Sequence, residues 1–127
     1  MDLLEVQNVC KTYGSGEAAV HALKNASFTV PKGEFVAVVG ESGSGKSTLM
    51  NIMGCLDLPS SGSYLLGGVD IARSTDERLS DIRNRQIGFI FQGFNLIDSL
   101  SALENVELPL IYRGLGREER HQLAVDA

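Results

Sequence analysis

Alternating apolar and polar positions mark the segments where strands with one buried face are predicted. Four segments carry this pattern: residues 3–9, 20–30, 64–66 and 69–71. In the first, Leu4, Val6 and Asn8 share one face, and the second is expected to break near Lys24-Asn25. Residues 11–17 between them are rich in glycine and predict a turn that holds Tyr13.

Two further apolar runs do not alternate. Residues 35–39 read FVAVV, and residues 87–91 read IGFIF. Continuous runs of this length predict strands buried on both faces, as in a parallel sheet covered by helices. The first run leads directly into Gly40 and the second ends at Gln92, so the pattern favours an α/β fold with a parallel core.

Helices are predicted where capping signals and apolar periodicity coincide. The predicted segments are residues 46–55, ending near Gly54, residues 75–85, a helix opened at Ser101, and residues 117–127. Ser74 with Glu77, and Ser101 with Glu104, have the spacing of a capping box. Pro109 is expected to disturb the third helix, because proline lacks the amide hydrogen that a helix interior uses.

Composition excludes several classes of function. The 127 residues suffice for one domain, and 43% hydrophobic with 21% charged residues is ordinary for a soluble globular protein. A net charge of −5 disfavours nucleic-acid binding, which usually leaves a basic surface. Cys10 and Cys55 lack metal-site spacing and are expected to be small apolar side chains in a reducing compartment. Uncharged stretches such as residues 47–56 are too short to span a bilayer, so a chain in or facing the cytosol is expected.

Residues 40–48 read GESGSGKST and match the phosphate-loop pattern G-x-x-x-x-G-K-[ST]. Glycines let the backbone curl so that successive N–H groups point at phosphates. The following helix N-terminus favours an anion. Lys46 supplies a positive charge for the β- and γ-phosphates, the Ser47 hydroxyl is placed to bind Mg²⁺, and Thr48 adds a donor. The predicted binding residues are Gly40, Glu41, Ser42, Gly43, Ser44, Gly45, Lys46, Ser47 and Thr48.

The alternative is a chance glycine-rich turn. A predicted buried strand before the loop and a predicted helix after it argue against chance, because the phosphate loop needs that context. A Rossmann site is excluded, since no G-x-G-x-x-G follows a strand with an acidic residue about 20 positions later. The loop by itself leaves ATPases, GTPases and small-molecule kinases open.

The flanking sequence resembles the ATPase subunits of ABC transporters over essentially the whole chain. Residues 3–62 look like that family's N-terminal β region and Walker A loop. The segments GCLDLPSSGSYLLGGVDI (54–71) and FNLIDSLSALENVELPLIYRG (94–114) are similar to the subgroup of lipoprotein-release, macrolide-export and cell-division ATPases. Gly67-Gly68 departs slightly, because many relatives carry an acidic or Asn residue before the second glycine.

The resemblance implies roles for two more residues. Tyr13 sits where the family places an aromatic ring that stacks on adenine; by itself it would be an ordinary tyrosine at a strand end. Gln92 matches the Q-loop glutamine, which binds Mg²⁺ and the attacking water and senses the membrane domain. The implied catalytic residues are Lys46 and Gln92, the metal ligands are Ser47 and Gln92, and the cofactors are ATP and Mg²⁺.

The resemblance also implies an architecture and partners. The expected fold is an α/β P-loop NTPase, with a parallel core sheet and an N-terminal antiparallel β-subdomain, that ends at the start of the helical subdomain. Residues 1–92 would form the β-subdomain and nucleotide-binding core, and residues 93–127 the Q-loop and the start of the helical subdomain. The expected partners are a membrane-spanning permease, separate or fused, and a second ATPase domain in a homodimer at the cytoplasmic face of the inner membrane.

A family member is expected to be nearly twice as long. Residues 1–127 lack the family's LSGGQ signature, the Walker B strand with its Asp, the catalytic Glu and the switch His. The chain is therefore expected to be an N-terminal portion that binds ATP and does not hydrolyse it alone. The remaining alternatives are a naturally short, non-catalytic nucleotide-binding module and a GTPase or kinase; the last would need an N/T-K-x-D motif or a kinase lid.

Overall fold

The computed structural model describes residues 2–127. The chain divides into two compact units, one ending at Leu79 and one running from Ser80 to Ala127. The first unit contains a sheet and the helix that follows the phosphate loop. The second is helical.

An antiparallel sheet forms the first unit, with strands in the order β2-β1-β3-β4. Its strands are β1 Asp2–Tyr13, β2 Val20–Pro31, β3 Ser61–Leu66 and β4 Val69–Asp70. Strand β1 lies at the centre, because it pairs with β2 on one side and with β3 on the other. The predicted N-terminal antiparallel β region is thus confirmed, and all four predicted alternating segments take part in it.

Strand β1 is longer than predicted. It continues to Tyr13, which pairs with Val20 at the end of the β1–β2 ladder, so the prediction that Tyr13 lies in the turn was wrong. The turn is shorter and contains a 3-10 helix, Gly16–Ala18. Alternation underestimates a strand whose last residues are partly exposed, because their pairing comes from the backbone and not from apolar side chains.

A bulge interrupts the alternation of β1. Asn8 adopts a left-handed φ of 50°, and the register shifts between Val6 and Val9. As a result Val9 is fully buried while Asn8 is exposed, which reverses the predicted facing of these two residues. On β2, Asn25 is also left-handed, with φ 47°, at the predicted break. Bulges of this kind twist and bend a strand locally.

The core of the first unit joins the sheet to helix α1, Lys46–Met53. Val6, Ile52, Tyr64 and Ile71 are essentially inaccessible to solvent. The Tyr64 hydroxyl donates a 2.8 Å hydrogen bond to the carbonyl of Met53, which ties the C-terminal end of α1 to β3. Burial raises the pKa of Tyr64 and keeps this donor protonated. Helix α1 ends at Gly54, as predicted.

The two cysteines differ in burial. Cys55 is buried, as expected for a small apolar side chain, whereas Cys10 is only half-buried. Neither thiol takes part in a disulfide.

The two continuous apolar runs are not strands, contrary to prediction. Residues 35–39 and 87–91 have no regular secondary structure. Their side chains are largely exposed, with Phe35 at 95% and Ile90 at 101% of full accessibility, and Phe89 and Phe91 stack with ring centroids 5.2 Å apart. A parallel strand forms only when neighbouring strands satisfy its backbone groups, and within residues 2–127 neither run has such a neighbour.

Three further helices follow: α2 Asp76–Gln86, α3 Ala102–Tyr112 and α4 Arg117–Asp126. At α2 the predicted Ser74 cap was wrong: the Thr75 hydroxyl accepts from the N–H of Arg78, while Ser74 donates to the carbonyl of Asp70. At α3 the capping box of Ser101 and Glu104 is confirmed in both directions.

Pro109 lies inside α3 and does not end it. The helix runs through it to Tyr112. The Pro109 carbonyl accepts from the Asn84 side chain at 2.9 Å, and Asn84 also accepts from Arg113. These bonds within the second unit anchor the turn of helix after the proline.

Candidate functional site: a phosphate-binding loop

The phosphate loop forms a turn directly before α1, and its glycines determine the backbone conformation there. Gly43 and Gly45 adopt left-handed φ values of 81° and 97°. Gly45 also lies against β2, where a Cβ atom would come within 2.5 Å of the Ala22 carbonyl oxygen. A side chain at this position would both strain the backbone and push the loop away from the sheet.

The N-terminus of α1 is open to an anion. Gly45 is the N-cap, no side chain caps the helix, and no acidic residue lies in its first turn. The first helical bond runs from the N–H of Leu49 to the carbonyl of Gly45, at 2.9 Å. The earlier amides of the helix therefore have no intrahelical acceptor, and together with the helix dipole they favour a phosphate.

Lys46 folds back over the loop. Its ammonium donates to the carbonyls of Gly40 and Glu41, at 2.6 and 2.5 Å, and approaches the Ser44 hydroxyl at 3.2 Å. Ser44 in turn donates to the carbonyl of Glu41 at 2.6 Å. The lysine charge is thus held at the loop by backbone oxygens, which phosphate oxygens can replace.

A cavity of about 620 Å³ lies between the loop and the start of β2. Its walls are Val20, His21, Ala22, Ser42, Gly43, Gly45, Lys46, Ser47 and Thr48. Six of the nine predicted binding residues of the loop line the cavity. The other three, Gly40, Glu41 and Ser44, form hydrogen bonds within the loop. The sequence did not predict the wall from β2. The signal was the pairing of the two strands, since His21 and Val20 stand opposite Thr12 and Tyr13.

Tyr13 is held by two side chains at the end of β1. Its hydroxyl donates to Asp57 at 2.8 Å, and the Lys11 ammonium lies 5.0 Å from the ring centroid. The bond to Asp57 raises the pKa of Tyr13, and the nearby Thr48 side chain opposes that shift. Because Thr48 lines the cavity, the Tyr13 hydroxyl lies close to the cavity wall. Tyr13 as a whole is 43% exposed, so it is accessible to a ligand.

Gln92 belongs to the second unit. It is exposed and follows the apolar run of residues 87–91, as the sequence indicates. Between Asp2 and Ala127, no group of three or more His, Cys, Asp or Glu side chains could hold a metal ion. In the same range, no helix is long and apolar enough to cross a membrane.

Known proteins match this chain closely. The ABC transporter family model covers residues 23–127. The macrolide export ATP-binding/permease protein MacB of Neisseria gonorrhoeae is 51% identical over 120 residues, which is 94% of this chain and 19% of that protein. The uncharacterized ABC transporter ATP-binding protein YvrO of Bacillus subtilis is 51% identical over 125 residues, or 98% of this chain and 55% of its own length.

A solved structure has a similar fold and a similar sequence. The dimeric ATP-binding cassette MJ0796, in a post-hydrolysis state bound to ADP and phosphate, superposes with a TM-score of 0.87 at 47% identity. The match covers 97% of this chain and 54% of that one. The chain thus spans about half the length of such cassettes and about a fifth of the macrolide exporters it matches. It has the fold of a partial P-loop NTPase domain, and it belongs to the ABC transporter family, as part of the ATP-binding domain.

Proposed function

We propose that this chain binds Mg·ATP as the N-terminal part of an ABC transporter ATPase domain. The observation that carries the proposal is the cavity beside the uncapped N-terminus of α1, closed on one side by the glycine loop and on the other by β2. A cavity with free helix amides and a lysine ammonium at one end suits a polyphosphate.

Each part of the loop has its own role in this proposal. Backbone amides of the loop cradle the phosphates, and the left-handed glycines Gly43 and Gly45 make that curvature possible. Lys46 exchanges its carbonyl partners for the β- and γ-phosphates. Gly40, Glu41, Ser42 and Ser44 maintain the loop, with Ser44 and Glu41 joined by a hydrogen bond. Thr48 donates to a phosphate oxygen.

The base is proposed to stack on Tyr13. The exposed ring stands at the end of β1, with its hydroxyl near Thr48 and its strand partner Val20 in the cavity wall. Stacking on an aromatic face contributes about 0.5–1.5 kcal/mol beyond area burial.

Mg²⁺ is proposed to bind the Ser47 hydroxyl, and the proposal that the Gln92 amide oxygen is a ligand rests on the family resemblance alone. Ser47 lines the cavity and presents a hard oxygen donor of the kind that Mg²⁺ prefers. Mg²⁺ usually keeps several waters and relies on substrate phosphates, which fits a site without a carboxylate cluster. When bound, the ion would neutralise charge on the phosphates.

The proposal extends to the whole domain. In it, residues 1–92 are the β-subdomain and nucleotide core, and residues 93–127 are the Q-loop and the start of the helical subdomain. The complete ATPase would hydrolyse ATP as a dimer at the cytoplasmic face of the membrane and drive export through a permease domain. MacB, named as an export ATP-binding/permease protein, and the dimeric cassette MJ0796 support this role. Hydrolysis needs positioned water, metal and charge stabilisation together, so residues 1–127 alone are proposed to be inactive.

The experiment that tests the proposal is a titration of ATP into the Lys46→Ala variant. Loss of a hydrogen bond to a charged group predicts an affinity lower by about 1.5–3 kcal/mol. Lys32→Ala is the matched control, because Lys32 is an exposed lysine in the turn after β2. If the folded Lys46→Ala protein and the control bind ATP with equal affinity, the loop does not take part in nucleotide binding.

A further inference from the structure

Lys11, Tyr13 and Asp57 form a compact group, here called the tyrosine clamp. Lys11 and Tyr13 stand two residues apart on β1 and therefore share a face of the strand. Asp57 follows helix α1 at a distance of 46 residues from Lys11 along the chain. No local rule of sequence brings these three side chains together; the fold of the first unit does.

The carboxylate of Asp57 is fully engaged in the clamp. One oxygen accepts from the Lys11 ammonium at 2.9 Å and from the N–H of Leu58 at 2.8 Å. The other accepts from the Tyr13 hydroxyl at 2.8 Å. Lys11 also donates to the carbonyl of Leu58 at 2.8 Å. Asp57 therefore holds both Lys11 and Tyr13 by hydrogen bonds, and the Tyr13 ring is fixed at its hydroxyl end.

Lys11 occupies one face of the Tyr13 ring. Its ammonium lies 5.0 Å from the ring centroid, within the range of a cation–π interaction. Its side chain is only 14% exposed and is held by Asp57, so it cannot swing away freely. A flat ligand must then use the opposite face of the ring.

We propose that Asp57 and Lys11 are positioning residues for base recognition: they lock the Tyr13 ring with one face covered and offer the other face to the nucleotide base. This inference rests on the proposed function, in which Tyr13 stacks on the base. A ring that is already ordered loses less rotamer freedom on binding, so the clamp raises affinity for ligands with a base. It does nothing for ligands that have only phosphates.

The titration behaviour of the clamp is consistent with this arrangement. Burial pushes the pKa of Asp57 upward, but hydrogen bonds from Lys11, Tyr13 and the Leu58 amide outweigh it, and the net pKa is lowered. The carboxylate is therefore charged at neutral pH, when it holds both partners.

The test compares ATP with inorganic tripolyphosphate, which has no base. We expect Asp57→Ala to weaken ATP binding about two- to tenfold, the range for losing an aromatic stack, and to leave tripolyphosphate binding unchanged. Lys11→Met should act in the same direction. The matched control is Asp81→Ala, which also removes an aspartate paired with a basic side chain, the 2.7 Å pair with Arg85.

A double-mutant cycle separates positioning from a general structural role. In the Tyr13→Ala background, Asp57→Ala should have no further effect on ATP affinity, because Asp57 acts through the ring. Equal losses for ATP and tripolyphosphate, or an undiminished loss without Tyr13, would overturn the positioning role.

Two more outcomes distinguish the clamp from the proposed function. If Tyr13→Ala weakens ATP binding and Asp57→Ala does not, the clamp is wrong and base stacking stands. If Tyr13→Ala itself leaves ATP affinity unchanged, base stacking on Tyr13 fails, and the clamp fails with it.

Discussion

The two continuous apolar runs are richer in β-branched and aromatic residues than the strands of the antiparallel sheet, yet only the sheet segments form strands. Strand β1 pairs with β2 across a short turn and with β3 further along the chain. Residues 35–39 and 87–91 pair with nothing between Asp2 and Ala127. Apolar content therefore marks a candidate strand, whereas a pairing partner decides whether the strand forms.

Solvent exposure also differs between the strands of the sheet and the two apolar runs. Val9 on β1 is fully buried, whereas Val39 in the first run is 88% exposed. Exposed unpaired apolar segments are sites of association with other chains.

The largest effect on stability is expected at a buried isoleucine, compared with an exposed one in the second apolar run. Ile52→Ala removes a fully buried side chain of α1 and should lower the free energy of unfolding by about 2–5 kcal/mol. Ile90→Ala makes the same chemical change at a fully exposed residue of the second run and should change it by less than about 0.5 kcal/mol. Urea unfolding of both variants measures the difference. A large cost for Ile90→Ala would mean that the second run is packed in solution.

The next expected effect concerns the point where the sheet supports the phosphate loop. Gly45→Ala adds a Cβ against the Ala22 carbonyl and strains a left-handed residue, so we expect a loss of about 2–5 kcal/mol in stability, in ATP binding or divided between them. Gly43→Ala is the control, because Gly43 is also left-handed but has open space around it. It should cost about 1–2 kcal/mol. Equal effects in calorimetry would show that contact with β2 is unimportant.

Local chemistry made much of the fold predictable. The capping box at Ser101, the end of α1 at Gly54 and the four alternating segments were all confirmed, because each depends on residues close in sequence. The bulge at Asn8 was not predicted, because it depends on register with β2. The strands expected at the two apolar runs were wrong, because they depend on partners that the sequence pattern does not specify.

The candidate site also has one part that the sequence predicts and one part that only the fold reveals. A single motif predicts the loop, and its glycines do take left-handed conformations beside an open helix N-terminus. The cavity wall at Val20 and His21, and the contact of Tyr13 with Asp57, come from pairing and packing between distant segments. Asp57 carries no motif, and only the fold reveals its position.

A smaller effect is expected in the helical unit, where structure depends on local signals. Ser101→Ala removes the hydroxyl that accepts from the Glu104 amide at 3.1 Å. Loss of an N-cap side chain costs about 1 kcal/mol, within a range of about 0.5–2. Ser101→Asp should restore most of this, because aspartate is also a good N-cap. Thermal unfolding followed by circular dichroism checks both, and an unchanged midpoint for Ser101→Ala would contradict the capping role.

The smallest expected effect is the pH dependence of the ion pair that links β1 to the segment after α1. The pKa of Asp57 is lowered in the folded state, so its carboxylate adds stability above its unfolded pKa of about 3.9. That stability is lost as the pH falls through the lower folded pKa. A partly exposed pair of this kind is worth at most about 1 kcal/mol. We therefore expect the difference in unfolding free energy between the parent and Asp57→Asn to be constant from about pH 7 to 5 and to shrink below about pH 4. Asp81→Asn is the control, since its pair with Arg85 joins residues of one helix and is more exposed. A difference that grows as the pH falls would contradict the lowered pKa and the role of Lys11 in holding Asp57.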